Sequence, residues 1–190
     1  MLEADTLNPD LPVINLKIVR NSNHPWIFQK MVEKPSQKIH NGSLVEIRDK
    51  DGNWAGRGIY NGHSRIALRV LTTNPSEKLD DTFFKSKLKS AISLREEVLK
   101  LHQKTNAYRL VHGEGDGLSG LIIDKLGNTI VMEFFSAGMY RLKDTFESIL
   151  LEHYPNHQIT WFAEDHVQKQ ESFQCKVPQF TIKPETITEN

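Results

Sequence analysis

The sequence predicts an α+β chain: a small β-rich unit over residues 1–75, then a small α/β domain over 76–190 with two helices on a mixed or antiparallel sheet. Three observations predict it. Residues 12–73 hold about five short runs of β-forming residues separated by turn residues. A polar, proline-containing stretch at 72–78 interrupts that pattern. Two segments with apolar residues at helical spacing follow, set among further β runs.

Each element has its own signal. Residues 13–19 (V-I-N-L-K-I-V) alternate apolar and polar, the period of a half-buried strand. In H-P-W-I-F at 24–28, His24 and Pro25 shape a turn that enters a strand. Trp26 and Phe28 are expected to alternate inward and fill the core. Asn41-Gly42 precedes a strand at 44–48, and Asp51-Gly52 marks a hairpin, because both residues tolerate positive φ. Strands at 54–60 and 65–71 complete a small barrel or sandwich. Pro75 and its polar neighbours form a linker. Asp80 or Asp81 caps a helix whose apolar face, Phe84, Leu88, Ala91, Ile92, Val98 and Leu99, carries it to about residue 103. Strands are expected at 108–112, 120–124 and 128–135. A second helix follows at 139–153, with Leu142, Phe146, Ile149 and Leu150 on one face and Pro155 at its end. Further strands are expected near 158–163 and 177–182, and 163–173 reads as a polar loop.

Hydrophobic residues at 38% and charged residues at 25% describe a soluble globular protein. No apolar run approaches the roughly 18 residues of a membrane span. The start M-L-E-A-D-T is acidic and lacks the apolar core of a secretory signal. Cys175 is alone, so neither an internal disulfide nor a cysteine zinc site is expected, and the expected location is cytoplasmic. Net charge is zero but uneven: residues 1–75 carry 10 Lys+Arg against 7 Asp+Glu, and residues 105–190 carry 7 against 12. A mildly basic first half suits contact with RNA phosphates, and equally suits an ordinary solvated surface.

The stretch 108–127, Y-R-L-V-H-G-E-G-D-G-L-S-G-L-I-I-D-K-L-G, contains G-x-G-x-x-G at Gly115, Gly117 and Gly120. A dinucleotide or S-adenosylmethionine site needs a helix after such glycines, to hold the phosphates on its N-terminus. Here a short β run follows, and Glu114 and Asp116 put negative charge where a pyrophosphate would sit. A structural loop between two strands is the better reading. Glu114, Gly115, Asp116, Gly117, Gly120 and Asp124 belong to it, with Asp116 and Asp124 expected to accept backbone N–H groups. Glu114, Asp116 and His112 also allow a metal-dependent hydrolase as a competing reading.

The same stretch resembles the E-G-D-G-L-P-G-L-I-I-D-R-Y-G signature of S-adenosylmethionine-dependent large-subunit rRNA cytosine 5-methyltransferases. Ser119 replaces its proline, and Lys125-Leu126 its Arg-aromatic pair. H-P-W-I-F at 24–28, G-R-G-I-Y-N-G-H-S-R-I-A-L-R-V at 56–70 and S-A-G at 136–138 are similar to further motifs of that family, in the same order. The resemblance implies a PUA-like RNA-binding barrel over 1–75 and the family's central α/β domain over 76–190. It places the cofactor site and catalytic cysteine in a C-terminal domain beyond these residues. The implied function is to position RNA, most simply large-subunit rRNA, for that domain. S-adenosylmethionine is then a cofactor of the intact enzyme and not of these residues. A stand-alone PUA-type RNA-binding protein is the alternative. The resemblance also hints at a homodimer, and it implies no membrane partner.

Candidate RNA contacts follow from the motifs. Arg20, Asn21 and His24 lie just before the H-P-W-I-F strand. Arg57 sits between two glycines that leave its guanidinium accessible. Arg65 and Arg69 are an even number apart on one expected strand and so face the same way. Trp26 and Phe28 could stack on bases if they faced outward. His153 and His157 have metal-ligand spacing, but Pro155 breaks the helix between them. No metal site is assigned. Cys175 matches no catalytic motif and reads as a small apolar residue.

Overall fold

The computed structural model describes residues 11–178 and 187–188. The first unit is a five-stranded sheet of order β1-β3-β4-β5-β2, built from Val13–Asn15 (β1), Trp26–Phe28 (β2), Ser43–Arg48 (β3), Trp54–Tyr60 (β4) and Ile66–Thr72 (β5). Only the β1–β3 pair is parallel. The sheet curls until its edges approach. Beyond β1 and β2, Lys17 donates to the Met31 carbonyl at 2.8 Å and Glu33 to that of Asn15 at 2.9 Å, around a bridge between Leu16 and Val32. The result is a half-barrel whose two edges are joined at one point, which shortens the open template for mispairing. Ile14, Leu16, Ile27, Val45, Ile47 and Leu68 fill it.

The β3–β4 hairpin is closed as its sequence indicates. Gly52 sits at φ +81°, and the Asp49 carboxylate accepts from Asp51 and Asn53 at 2.9 Å each. The alternation expected at 13–19 holds over 13–17, where Ile14 and Leu16 are buried and Val13, Asn15 and Lys17 exposed, and stops at Ile18, which is exposed.

The second unit is a mixed sheet of order β6-β7-β8-β9: Ala107–His112, Leu121–Leu126, Thr129–Phe134 and Gln158–Phe162. β6, β7 and β8 run antiparallel, and β8 pairs with β9 in parallel. Helix α1 (Asp81–Ser93) precedes the sheet. Helices α2 (Ala137–Arg141) and α3 (Lys143–His153) supply the crossover that a parallel pair needs. Asp80 caps α1 by accepting from the Phe83 N–H at 2.9 Å. Phe84, Leu88, Phe146 and Leu150 pack against Leu110, Ile123 and Met132 in the second core.

Several sequence expectations are corrected. α1 does not run to 103: a π turn at Leu94–Val98 follows it, then Lys100 adopts left-handed backbone at φ 52°. The wider turn rotates the apolar stripe, so Val98 is 68% exposed and Leu99 49%. The segment 163–173 is not all loop but contains helix α4, Asp165–Glu171. The strand expected near 177–182 lies mostly outside the described residues. Trp26 and Phe28 do not fill the core. Ile27 takes that place, and its two neighbours face the other way, as β-strand alternation requires.

The two units share a tight seam. Ile59 and Leu71, on β4 and β5, belong to the second core rather than the first. Gly42 and Gly138 meet there. A Cβ on Gly138 would lie 2.3 Å from Ile59 Cγ2, and one on Gly42 would lie 2.9 Å from the Gly138 nitrogen.

Candidate nucleic-acid interface

A cleft of about 720 Å³ opens along this seam. The half-barrel contributes Trp26 and Phe28 of β2, with Arg65, Ile66 and Arg69 on and beside β5. The 112–122 segment contributes His112, Glu114, Leu121 and Ile122. Helix α4 contributes His166, Val167 and Gln170.

Arg69 forms the floor and is 6% exposed. Its guanidinium donates to the Phe135 carbonyl at 3.1 Å and to Ser119 Oγ at 3.4 Å. Glu114 and Glu171 lie 3.6 Å away on either side, and the Trp26 ring lies 5.6 Å from the guanidinium carbon. Burial pulls the Arg69 pKa below its ordinary value, and the two carboxylates act against that pull. Glu171 is itself 4% exposed and accepts from Ser64 Oγ at 2.6 Å and Asn61 Nδ2 at 2.9 Å. Arg69 therefore ties the half-barrel, the glycine-rich loop and α4 together.

Glu114 completes the floor. Its Oε1 accepts from the Trp26 indole N–H and from Ser119 Oγ, each at 2.8 Å. Burial alone would push this carboxyl up. The bonds from Ser119, its own N–H and Trp26, with the Arg69 charge, hold it below the usual carboxylate range.

The glycine-rich loop is a short 3-10 turn, Gly113–Asp116, closed by Gly117 at φ +71°. Asp116 accepts from Arg95 through both oxygens, at 2.6 and 2.8 Å, and from the His112 N–H at 2.6 Å. Asp124 does not bond backbone as expected but pairs across the strands with Arg109 at 2.9 Å. Strand β7 follows the glycines, and both loop carboxylates point into these contacts. The segment thus lacks the helix N-terminus on which S-adenosylmethionine or a dinucleotide would be held after such glycines. Among the described residues no group of three or more His, Cys, Asp and Glu side chains could hold a metal ion.

The structure separates the three arginines. Arg57, expected to be accessible, is 1% exposed. Its Nε donates to Glu46 at 2.6 Å and its NH1 to the carbonyls of Pro75 and Glu77, so it staples the linker to the half-barrel. Arg65 and Arg69 do face one way, into the cleft, but only Arg65 is exposed. No hydrogen bond or ion pair among the described residues engages its guanidinium. Arg20, half-buried, donates to the His24 carbonyl at 3.1 Å, and exposed His24 accepts from the Trp26 N–H through Nδ1 at 3.1 Å. Asn21 is exposed beside them. Sequence reasoning missed Glu171, His166 and Gln170, because 163–173 has too few apolar residues for a clear helical period. The acidic pair Glu164-Asp165 at the start of α4 was the available signal.

Residues 20–73 match the model of the PUA-like domain. Over 151 residues the chain is 34% identical to the ribosomal RNA large subunit methyltransferase I of Pseudoalteromonas atlantica and 37% identical to that of Escherichia coli. Each match covers 80% of this chain and 38% of the relative. These matches support an rRNA methyltransferase family. The chain spans well under half the length of the curated relatives it matches. Two solved structures share the fold. One, named as a methyltransferase complexed with SAH, has a TM-score of 0.64 at 16% identity, over 82% of this chain and 40% of that one. The other, named as a SAM-dependent methyltransferase from Streptococcus mutans, has a TM-score of 0.66 at 13% identity, over 92% and 45%. Among the described residues no helix is long and apolar enough to cross a membrane.

Proposed function

We propose that these residues are the RNA-gripping portion of a class I S-adenosylmethionine-dependent rRNA (cytosine-5) methyltransferase, with residues 1–75 as the PUA-like unit and 76–190 as the central domain. They position RNA for a catalytic domain that lies outside them. The observation that carries this reading is the cleft: an unpaired Arg65 guanidinium beside exposed Phe28, with Arg20, Asn21 and His24 on the loop leading into the same strand. Cation and aromatic face together are the means by which proteins hold single-stranded nucleic acid. Arg57 and Arg69 serve this grip through the fold, since both are buried in ion pairs. S-adenosylmethionine is bound by the catalytic domain, because the glycine-rich loop here is built as a brace.

Fluorescence anisotropy with a labelled large-subunit rRNA hairpin, titrated across salt, tests the reading. Binding should weaken as salt rises, and Arg20→Glu with Arg65→Glu should abolish most of it. Added S-adenosylmethionine should neither bind these residues nor yield methylated RNA. Absence of RNA binding at low salt would overturn the proposal.

A further inference from the structure

We infer that the cleft receives a single unpaired nucleobase, stacked on Phe28 with Arg65 on the adjoining phosphate. This deepens the RNA-gripping reading and rests on it.

The cleft has the size of a small-ligand site, at about 720 Å³. Its walls are apolar, from Ile66, Leu121, Ile122 and Val167. Phe28 is 40% exposed at the wall, a large aromatic surface left in water. Trp26, two residues earlier, lines the same cleft and is held rigid by Glu114 and Ser119 through its indole N–H. Side chains two apart on a strand face stand about 6.6 Å from each other, from a rise of about 3.3 Å per residue. One flat ring at carbon contact distance, about 3.5 Å, from a ring on each side needs about 7 Å. The regular strand spacing is thus of the order one base needs, and β2 carries a register shift against β5 between Ile27 and Phe28.

Charge points the same way. Arg69 faces two carboxylates, Glu114 and Glu171, so the floor carries a net negative charge and no cation with which to hold phosphates. Arg65, exposed at the mouth and outside those ion pairs, is the cation placed to meet one phosphate. His112, His166 and Gln170 at the rim offer donors and acceptors to a base edge. A base inside a duplex is stacked and paired and cannot reach such a cleft, so the ligand must be a loop, bulge or strand end.

The test uses a large-subunit rRNA hairpin carrying 2-aminopurine at successive loop positions, whose fluorescence is quenched by stacking. Anisotropy of an end label reports total binding in the same samples. One loop position should be quenched on binding. Phe28→Ala should abolish that quench and weaken binding about tenfold, the scale of one lost stack. Phe28→Tyr should restore both, and the same base placed in the stem should show no quench. Phe28 is solvent-exposed, so thermal melts should coincide for all three proteins. Binding without a Phe28-dependent quench would overturn the nucleobase site and leave the RNA grip standing. Absence of binding at low salt would overturn both.

Discussion

Arg69 carries a full charge into the middle of the molecule, and the surrounding residues are arranged to tolerate it. Removing one partner of a buried ion pair leaves the other uncompensated. Arg69→Met should therefore destabilise the fold by about 3 kcal/mol, read as a lower urea midpoint. Arg65→Ala should change stability by less than about 0.5 kcal/mol, because it removes an exposed side chain that no hydrogen bond or ion pair among the described residues engages, while lowering RNA affinity. That contrast separates two arginines that sequence spacing treats alike. Glu114 gives a pH signature. Its folded-state pKa is depressed, so its stabilising contribution is present above the unfolded value, about 4.3, and is lost as pH falls through the folded one. Thermal melts should show stability declining below about pH 4.3, less steeply in Glu114→Gln. An identical acid limb in that variant would contradict the contacts assigned to this carboxylate.

Between elements, the seam depends on small residues. A Cβ at Gly138 would press into Ile59, so Gly138→Ala should cost about 1–3 kcal/mol, the range of an overpacked core, and should loosen the two units. Limited proteolysis at the linker 72–78 would report that loosening. Most elements were legible in the sequence, because strands with a clean period of two and helices with one apolar face announce themselves. The Asp51-Gly52 hairpin and the Asp80 cap rest on local chemistry that sequence carries directly. The failures share a physical reason. Which side of β2 meets the core depends on register against β5, and three residues hold too little pattern to fix it. The π turn after α1 and the short polar helix α4 are set by tertiary contacts, Arg95 with Asp116 and Glu171 with Asn61, Ser64 and Arg69. The burial of Arg57 follows from Glu46, eleven residues away on the neighbouring strand.

At the scale of the whole molecule, neither unit owns the cleft. The half-barrel supplies the aromatic face and the exposed cation, the 112–122 segment and Phe135 supply the floor, and α4 supplies one wall. Disturbing any of the three should weaken RNA binding without touching an RNA-contacting side chain. Gly138→Ala and Arg69→Met are thus expected to lower affinity as well as stability. The most direct test of the account maps where RNA lies. A large-subunit rRNA hairpin bearing 4-thiouridine would be photo-crosslinked to the protein and the adducts located by mass spectrometry. Adducts are expected on the cleft residues, Trp26, Phe28 and His112 foremost, and are expected to be lost in Arg65→Glu. Adducts confined to the outer face of α1 and α3, with the cleft residues unmodified, would contradict the account.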